Sequence, residues 1–278
     1  KGLIRETGHD ALVKLMVGRD VGQVFPKGES RIGKTVMSVQ NISHPTEFDA
    51  VSFELKAGEI LGFYGLVGAG RSEVMQCLFG MTKPSSGTVE LEGKPVTIAS
   101  PAEAVAHGIV YVPEERGRQG AVKGLPIFMN VTLPSLKETS RSGFLKLASE
   151  FALARKYTER LDLRASSLSQ DVATLSGGNQ QKVVIAKWLA TKPKVIILDE
   201  PTKGIDIGSK AAVHAFMSEL AREGLAVVMV SSELPEVLGM ADRIIVMREG
   251  RMAGEFSRAE ATPEKLVRAA AGIVEKAA

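Results

Sequence analysis

Short apolar runs alternate along this chain with longer segments in which apolar residues recur at helical spacing. From residue 194 onward, the runs at 195–198, 225–230 and 243–247 have the length of buried strands, and helices are predicted between them near 207–222 and 233–239. Strands that alternate with helices in this way predict a parallel sheet covered by helices. The pattern therefore indicates an α/β protein.

The first part of the chain has a less regular pattern. Residues 36–98 are predicted as short strands with one helix after Gly70, followed by a helix at 101–107 and a strand at 108–112. Residues 121–190 are predicted to be mostly helical, including a helix at 150–161. The sequence contains no internal repeat and no low-complexity tract. These changes of pattern predict subdomains around the α/β core.

The N-terminal end is expected to be separate from this core. Residues 9–18 carry apolar residues at helical spacing, and residues 18–34 lose that periodicity in a stretch rich in Gly, Pro and charged residues. Such a stretch is typical of a linker. We expect a tail and linker over residues 1–34, the folded domain over residues 35–278, and a helical subdomain over about residues 121–190. An ordinary N-terminal helix at 9–18 fits the same pattern.

Composition and charge narrow the classes of function. A chain of 278 residues with a net charge of +3 and mixed signs lacks the dense positive charge of a dedicated nucleic-acid surface. No apolar run approaches the roughly 20 residues that a membrane-spanning helix needs, so a role at a membrane would be peripheral. The single cysteine, Cys77, cannot form an internal disulfide and suits a reducing cytosol. The chain starts at Lys1, and we expect a fragment or a processed form.

The octapeptide Leu-Ser-Gly-Gly-Asn-Gln-Gln-Lys at residues 175–182, here called the signature octapeptide, predicts the N-terminus of a helix. Ser176 can cap that helix, and Gly177 and Gly178 let a ligand approach the backbone. The free N–H groups and the helix dipole would then favour an anion.

A second segment predicts that the anion is a phosphate. The strand-like run 59–64 leads into Gly-Leu-Val-Gly-Ala-Gly-Arg-Ser at residues 65–72, here called the glycine loop. In the P-loop pattern, backbone N–H groups wrap the phosphates, a lysine reaches the terminal phosphates and a hydroxyl binds Mg²⁺. Gly65, Gly70 and Ser72 fit this pattern, whereas Arg71 replaces the lysine.

A third segment adds two carboxylates. The strand predicted at 195–198 ends in Asp199 and Glu200, followed by Pro201. A buried parallel strand delivers such residues to the edge of the sheet where ligands bind.

The glycine loop, the signature octapeptide and the strand ending in Asp199-Glu200, in that order, resemble the nucleotide-binding domain of ABC transporters. With Val-Pro-Glu-Glu-Arg at 112–116, they resemble more narrowly the second ATPase half of tandem monosaccharide importers of the ribose, galactose and xylose type. The resemblance covers nearly the whole chain. It implies a P-loop NTPase (ABC ATPase) core with an antiparallel β subdomain and an α-helical subdomain. It also implies that residues 1–34 are the end of a preceding ATPase half.

The resemblance implies a function and partners as well. The chain would be the C-terminal ATPase half of an importer that couples binding and hydrolysis of ATP, with Mg²⁺, to uptake of a monosaccharide. Its partners would be the N-terminal ATPase half of the same polypeptide, membrane permease subunits and, indirectly, a periplasmic sugar-binding protein, with no nucleic acid. It would lie peripherally on the cytoplasmic face of the plasma (inner) membrane.

Residue roles follow from matching the motifs position by position. The residues implied to bind ATP are Gly65, Leu66, Val67, Gly68, Ala69, Gly70, Arg71, Ser72 and Glu73. The residues implied to face ATP on a partner domain are Leu175, Ser176, Gly177, Gly178, Asn179 and Gln180. The residues implied to hold the metal are Ser72, Glu114 and Asp199. For catalysis, Glu200 would polarise the attacking water and Ser232 would face the γ-phosphate.

Several departures from the family pattern predict that the chain's own ATP site is degenerate. Arg71 has a planar fork on a longer stem and cannot simply occupy the place of a lysine. Glu73 would repel phosphates unless it pairs with Arg71; a solvated Arg71–Glu73 surface pair is the alternative. Ser232 replaces the switch histidine and offers a hydroxyl but no positive charge. None of the four histidines, His9, His44, His107 and His214, is near that position in the sequence.

Because the signature octapeptide keeps the family sequence, we expect the chain to serve ATP held by a partner while it binds its own ATP weakly and hydrolyses it slowly. Glu114 stands where the family commonly has a glutamine, and it fits a Mg²⁺ ligand and a solvated charge equally well. Asp206 fits both a helix N-cap and the loop that crosses between the two sites of a dimer.

The remaining conspicuous residues are predicted to be structural. Trp188 and Cys77 are expected in the core, and Phe48 and His44 in the core or on the surface rather than stacked on adenine. The apolar segment 125–129 fits permease docking and internal packing equally.

Two other functions remain open. A soluble ABC ATPase of DNA repair or translation usually carries a coiled coil or basic arm, which this sequence lacks. A non-hydrolysing nucleotide sensor is favoured by Arg71 and Ser232 but opposed by Glu200.

Overall fold

The computed structural model describes residues 25–273, so the helix predicted at residues 9–18 lies outside the described residues. The strands are β1 (Thr35–Ser43), β2 (Val51–Lys56), β3 (Ile60–Tyr64), β4 (Ser86–Leu91), β5 (Lys94–Val96), β6 (Ile109–Val112), β7 (Ser140–Arg141), β8 (Phe144–Leu145), β9 (Val195–Asp199), β10 (Ala226–Val230), β11 (Arg243–Arg248) and β12 (Arg251–Ser257). The α-helices are α1 (Arg71–Leu78), α2 (Pro101–His107), α3 (Ile127–Thr132), α4 (Leu136–Thr139), α5 (Leu147–Arg160), α6 (Gly177–Leu189), α7 (Ile207–Arg222), α8 (Leu234–Met240) and α9 (Pro263–Ala271).

A six-stranded sheet in the order β12-β11-β3-β10-β9-β6 forms the centre of the molecule. The strands from β11 to β6 run parallel, and β12 is antiparallel at the edge. Every residue of β3, β6, β9 and β10 is buried, as expected for strands that are covered on both faces. The predicted parallel sheet is confirmed, and the carboxyl ends of β3, β9 and β10 lie side by side.

A second, antiparallel sheet in the order β2-β1-β4-β5 confirms the predicted β subdomain. Its apolar face shares one core with the central sheet and α1. The rings of Phe53 in β2 and Phe63 in β3 meet edge to face with centroids 5.2 Å apart. This shared core fixes the β subdomain against the strand that leads into the glycine loop.

The helices α3, α5 and α6 form the predicted helical subdomain. The rings of Phe128 and Phe151 stack with centroids 4.3 Å apart and join α3 to α5. The hairpin β7-β8 interrupts the helices, which the sequence pattern does not predict. Its two-residue turn has Ser142 at φ 53° and Gly143 at φ 83°, the backbone signs of a tight hairpin turn.

Residues 25–34, which directly precede β1, have no regular structure but pack against the domain. The Phe25 ring lies 5.1 Å from the imidazole of His214, measured between centroids. Lys27 Nζ lies 2.7 Å from Asp242 Oδ2, and the backbone N–H of Gly28 donates to Ser218 Oγ at 2.7 Å. Residues 25–28 are therefore attached to α7 and to the turn between α8 and β11. Among the described residues, no helix is both long enough and apolar enough to cross a bilayer.

Candidate functional site

The glycine loop connects the carboxyl end of β3 to the start of α1, as the sequence predicts. Gly65 touches the next strand so closely that an added Cβ would lie 2.4 Å from Met247 O. Gly68 and Gly70 have φ values of 79° and 89°, a region that side chains rarely allow. Gly70 precedes α1 without a capping side chain, so the first N–H groups of α1 remain available to a ligand.

The remaining loop residues differ in exposure. Leu66 is 56% exposed and Val67 93% exposed, so two apolar side chains project from the tip of the loop. Ala69 is buried, and its carbonyl accepts a hydrogen bond from Gly250 N at 3.1 Å. The loop is therefore anchored at its base, with an open tip.

Asp199 at the end of β9 contacts the glycine loop. Its Oδ1 accepts a hydrogen bond from Ser72 Oγ at 3.0 Å, and its Oδ2 accepts one from the Tyr111 hydroxyl at 2.6 Å. Burial raises the pKa of Asp199, and the hydrogen bonds from Tyr111 and Ser72 oppose that rise. Burial, together with the charge of Asp199, raises the pKa of the Tyr111 hydroxyl, which stays a donor. Sequence reasoning missed Tyr111, although it lies in the predicted strand at 108–112.

The donor atoms at this edge fit Mg²⁺ only in part. Ser72 and Asp199 supply a hydroxyl and a carboxylate that lie together, and Mg²⁺ bound to a nucleotide commonly needs one or two carboxylates besides phosphates. Among residues 25–273, no group of three or more His, Cys, Asp or Glu side chains could hold a metal by itself. Glu114 forms an ion pair with Lys203. Ser72 and Asp199 are therefore the residues that fit the metal, and Glu114 would first have to leave Lys203.

Glu200 has an unusual backbone conformation. Its φ of 45° lies in the left-handed region, which is uncommon for a residue with a side chain. Its Oε1 accepts a hydrogen bond from the backbone N–H of Ser232 at 2.8 Å. Burial raises the pKa of Glu200, although the Ser232 hydrogen bond and the charge of Arg71 oppose the rise. A carboxylate with a raised pKa at a sheet edge is a candidate general base.

The exposure of Arg71 and its ion-pair partner both differ from what the sequence suggests. Its side chain is 9% exposed, so the alternative of a solvated surface pair with Glu73 is wrong. The ion pair that Arg71 makes is with Glu200, at 3.6 Å between Nη2 and Oε1, rather than with Glu73. Its Nη1 is buried and has no hydrogen-bond partner among the described residues. A buried guanidinium N–H without an acceptor is costly, and this donor fits an anionic ligand such as a phosphate.

The loop after β10 carries Ser232 at the switch position. The Ser232 side chain is exposed; its backbone N–H donates to Glu200 Oε1 at 2.8 Å, and its hydroxyl also interacts with that carboxylate. His214, which is distant from the switch position in sequence, is close to it in space. Its Nε2 lies 2.7 Å from Glu236 Oε1, and Glu236 accepts a hydrogen bond from Ser231 Oγ. Neither His214 nor Glu236 could be assigned from the sequence, because three separate elements bring them together.

The signature octapeptide begins α6, which confirms the predicted helix N-terminus. Ser176 is the N-cap, and its Oγ accepts from Asn179 N at 3.5 Å. Ser176 is exposed and Gly177 half-buried, whereas Leu175 and Gly178 are buried. A Cβ on Gly178 would lie 2.2 Å from Ser209 Oγ of the same chain. The backbone accessible to another molecule is therefore centred on Ser176 and Gly177.

The two polar residues that follow turn back onto their own chain. Asn179 Oδ1 accepts from Arg164 N at 3.1 Å, and Gln180 Nε2 donates to Leu175 O at 3.1 Å. Both side chains are half-buried. These contacts hold the octapeptide in place.

Arg116 joins the signature octapeptide to the segment after β9. Its guanidinium donates to Lys203 O at 2.8 Å and to Gly204 O at 3.0 Å. A Cβ on Gly177 would lie 2.7 Å from Arg116 Nη2. Arg116 is therefore a site residue that sequence reasoning missed.

Asp206 is the N-cap of α7, where its Oδ1 accepts from Ser209 N at 3.0 Å. The N-cap alternative for Asp206 is confirmed.

The structural assignments from sequence agree with the fold. Phe48 is 3% exposed and packs in the core of the β subdomain. Burial raises the pKa of the Cys77 thiol. In the apolar segment 125–129, Ile127 and Phe128 are buried in the helical subdomain, and Met129 is 38% exposed. Internal packing therefore accounts for most of that segment.

Comparison with known proteins extends these observations. A family model described as "ABC transporter" matches residues 48–203. "Ribose import ATP-binding protein RbsA 1" of Rhizobium meliloti (strain 1021) is 72% identical over 273 residues, covering 98% of this chain and 54% of that protein. "Ribose import ATP-binding protein RbsA 2" of Streptomyces avermitilis is 48% identical over 263 residues, covering 95% and 52%. The chain spans about half the length of the curated relatives it matches.

Solved structures share the fold. MJ1267, described as an ATP-binding cassette of an ABC transporter, superimposes with a TM-score of 0.71 at 25% identity, covering 85% of this chain and 98% of that chain. The dimeric ATP-binding cassette MJ0796, bound to ADP and Pi, gives a TM-score of 0.69 at 23% identity, covering 80% and 98%. The predicted fold class is confirmed.

Proposed function

Because this chain belongs to the ABC transporter family, we propose that it is the C-terminal ATPase half of a tandem importer that couples ATP hydrolysis to uptake of a monosaccharide. Two independent relatives are named for ribose import, so ribose is the first sugar to test. Residues 35–278 would form the ATPase domain, and residues 1–34 would end the preceding half. The observation that carries the proposal is the meeting of the glycine loop, Asp199 and Glu200 at one edge of the central sheet.

The residues at this edge have separate tasks in the proposed reaction. Backbone N–H groups of the glycine loop and of the first turn of α1 would bind the phosphates. Ser72 and Asp199 would hold Mg²⁺, which when bound would neutralise negative charge on the phosphates. Glu200 would orient the attacking water and accept its proton, for which its raised pKa suits it.

The chain's own site is proposed to hydrolyse ATP slowly. The Glu200 carboxylate is paired with Arg71, and this ion pair competes with a water for Oε1. Ser232 supplies no positive charge to the developing charge on the γ-phosphate. Glu73 lies in the first turn of α1, where its carboxylate adds negative charge beside the phosphates. Binding of nucleotide would persist through the backbone.

The signature octapeptide is proposed to serve ATP on the N-terminal half of the same polypeptide. The exposed Ser176 and half-buried Gly177 support this role, because their backbone can meet a phosphate outside the chain. Membrane permease subunits would anchor the ATPase peripherally on the cytoplasmic face of the inner membrane, with a periplasmic sugar-binding protein acting indirectly. Substrate choice would belong to those other subunits.

ATP turnover tests the assignment. We expect slow turnover by the 278-residue chain alone and faster turnover after the separately purified N-terminal half is added. Ser176→Arg should abolish the gain, because the arginine side chain would fill the space in front of Gly177. Ser169→Arg, on an exposed serine of the same subdomain, is the matched control and should keep the gain. A gain that survives Ser176→Arg would refute the role in trans.

A separate experiment tests the sugar. Deletion of the gene in the native organism should lower uptake of labelled ribose, and re-expression of the wild-type gene should restore it. Re-expression with Glu200→Gln should restore less. Undiminished ribose uptake in the deletion strain would redirect the proposal to another monosaccharide.

A nucleotide sensor that does not hydrolyse ATP is the second candidate, because Arg71 pairs with the carboxylate that should activate water. The two functions differ in the effect of Glu200→Gln in the full tandem protein. A hydrolysing half loses turnover on this substitution, whereas a sensor keeps it unchanged.

A further inference from the structure

A buried carboxylate lies behind the loop that contacts Glu200. Glu236 in α8 is 1% exposed and receives hydrogen bonds from three side chains. His214 Nε2 lies 2.7 Å from Oε1, Thr202 Oγ1 donates to Oε1 at 2.9 Å, and Ser231 Oγ donates to Oε2. A buried carboxylate is tolerated when its lone pairs are occupied in this way. Both of its oxygens are used.

These contacts join the two loops that carry and hold Glu200. Thr202 follows Glu200 by two positions after β9, and Ser231 directly precedes Ser232 after β10. Ser231 Oγ also accepts from Glu233 N at 3.0 Å, which fixes the turn in which the Ser232 N–H points to Glu200 Oε1. One carboxylate therefore fixes the spacing between the loop that presents Glu200 and the loop that orients it.

His214 connects the carboxylate to α7. The imidazole is 1% exposed and is covered on one side by the Phe25 ring. Burial of Glu236 opposes ionisation, but hydrogen bonds from His214 and Ser231 prevail and lower the pKa of Glu236. The ionised carboxylate makes each of these hydrogen bonds stronger than a neutral acceptor would. The network is thus rigid, charged and closed to solvent.

We propose that Glu236, oriented by His214, is a positioning residue for Glu200, acting through the Ser231-Ser232 turn. Its effect on hydrolysis rests on the proposed function, whereas its effect on the turn does not. Glu236 touches neither nucleotide nor water in this scheme. Its action is to hold the Ser232 N–H at 2.8 Å from Glu200 Oε1, so that the carboxylate keeps one direction at the edge of the sheet.

Glu236→Gln is the direct test, because it keeps the shape of the side chain and removes one acceptor oxygen. Oε1 and Oε2 together accept three donors, and a glutamine has a single acceptor oxygen, so either Ser231 or the His214 and Thr202 pair loses its acceptor. Glu233→Gln is the matched control: Glu233 lies in the same turn, is half exposed and pairs with Lys210.

Hydrogen exchange of the amides at 231–233 in the 278-residue chain gives a readout that is independent of activity. We expect Glu236→Gln to accelerate exchange there by about tenfold, the equivalent of about one buried hydrogen bond, while Glu233→Gln changes it less than about twofold. Unchanged exchange in Glu236→Gln would overturn the proposal. If that variant does not fold, Ser231→Ala removes the same link, and unchanged exchange at 232–233 would overturn the proposal equally.

The slow ATP turnover of the 278-residue chain alone, in which no second ATPase half masks the contribution of Glu200, separates positioning from simple structural support. We expect Glu236→Gln to lower kcat by about tenfold with KM for ATP changed less than about twofold, and Glu236→Asp to recover part of the loss. In a Glu200→Gln background, Glu236→Gln should cause no further loss. An equal loss in both backgrounds would overturn the positioning role. Accelerated exchange with unchanged turnover in both Glu200→Gln and Glu236→Gln would support the positioning and refute the proposed use of Glu200.

Discussion

Arg71 Nη2 lies 3.6 Å from Glu200 Oε1, so the arginine of the glycine loop pairs with the carboxylate that follows β9. Both side chains are more than nine-tenths buried, with exposures of 9% and 8%. Arg71 Nη1 has no hydrogen-bond partner among the described residues. A phosphate bound in the glycine loop would satisfy this donor and would compete with Glu200 for the guanidinium. We therefore expect nucleotide binding to change the ion pairing of Glu200, with Arg71 as the link between the two.

This coupling predicts the effect of Arg71→Lys. A lysine has the compact charge that a P-loop normally directs at the terminal phosphates, and it lacks the fork that reaches Glu200. We expect Kd for MgATP, measured by isothermal titration, to fall by about tenfold, or about 1.4 kcal/mol. Arg118→Lys, on a side chain that is 83% exposed, should leave Kd unchanged. Equal affinity in Arg71→Lys and the wild type would show that Arg71 already fills the role of the lysine.

The parts of the site that were predicted from sequence are those that a continuous segment specifies. Asp199 ends an otherwise apolar strand, and Ser176 precedes a helix as its capping residue, so local pattern was sufficient for both. For Asp206 the local pattern offered the N-cap as one of two alternatives, and the structure shows the cap. The links made by Tyr111 and Arg116 were missed. Tyr111 and Asp199 are 88 residues apart, and the parallel sheet is needed to bring their strands together.

The pairing of Arg71 shows a different limit. The sequence places Glu73 two residues from Arg71, which makes it the obvious partner, yet residues two apart on a helix point in different directions. The fold offers Glu200 instead, across the edge of the sheet. The hairpin β7-β8 was missed for another reason: its strands have two residues each, too few to show an alternating pattern.

Arg116→Ala tests the link between the signature octapeptide and the segment after β9. The guanidinium of Arg116 donates one hydrogen bond to Lys203 O and one to Gly204 O, and alanine removes both. Because hydrogen bonds from a charged donor are each worth about 1.5–3 kcal/mol, residues 203–206 should open more often. We expect amide hydrogen exchange at 203–206 to accelerate by about tenfold or more. Arg118→Ala is the control, since Arg118 lies two residues after Arg116 and its side chain is exposed. Identical exchange in both variants would mean that Arg116 does not hold the segment.

Lys187→Met tests a buried charge in α6. Lys187 is 8% exposed, its Nζ donates to Gly120 O, and burial lowers its pKa from 10.5 to about 8. Between pH 8 and pH 10.5, Lys187 is mostly protonated in the unfolded chain and mostly neutral in the folded chain. The contribution of Lys187 to the free energy of unfolding therefore rises with pH over this range.

Relative to Lys187→Met, the wild-type free energy of unfolding should therefore increase by about 3 kcal/mol as the pH rises from 7 to 10.5, measured by urea titration. Lys192→Met, which removes a lysine that is 66% exposed, is the matched control for the loss of a lysine side chain. A difference between the wild type and Lys187→Met that stays flat with pH would contradict the lowered pKa.

Gly239→Ala tests whether the segment before β1 belongs to the folded domain. Gly239 lies within α8, where an added Cβ would come within 2.5 Å of the Phe25 ring. The clash should displace Phe25 from His214 and lower the free energy of unfolding by about 1–3 kcal/mol. In a Phe25→Gly background, which removes the ring and also the Cβ that would lie 2.8 Å away, the clash is absent, and alanine at 239 should then stabilise the helix by up to about 1 kcal/mol relative to glycine. The two substitutions must therefore couple strongly in a double-mutant cycle measured by urea unfolding. If Gly239→Ala costs the same in both backgrounds, Phe25 does not pack on α8 in solution, and the folded domain begins at β1.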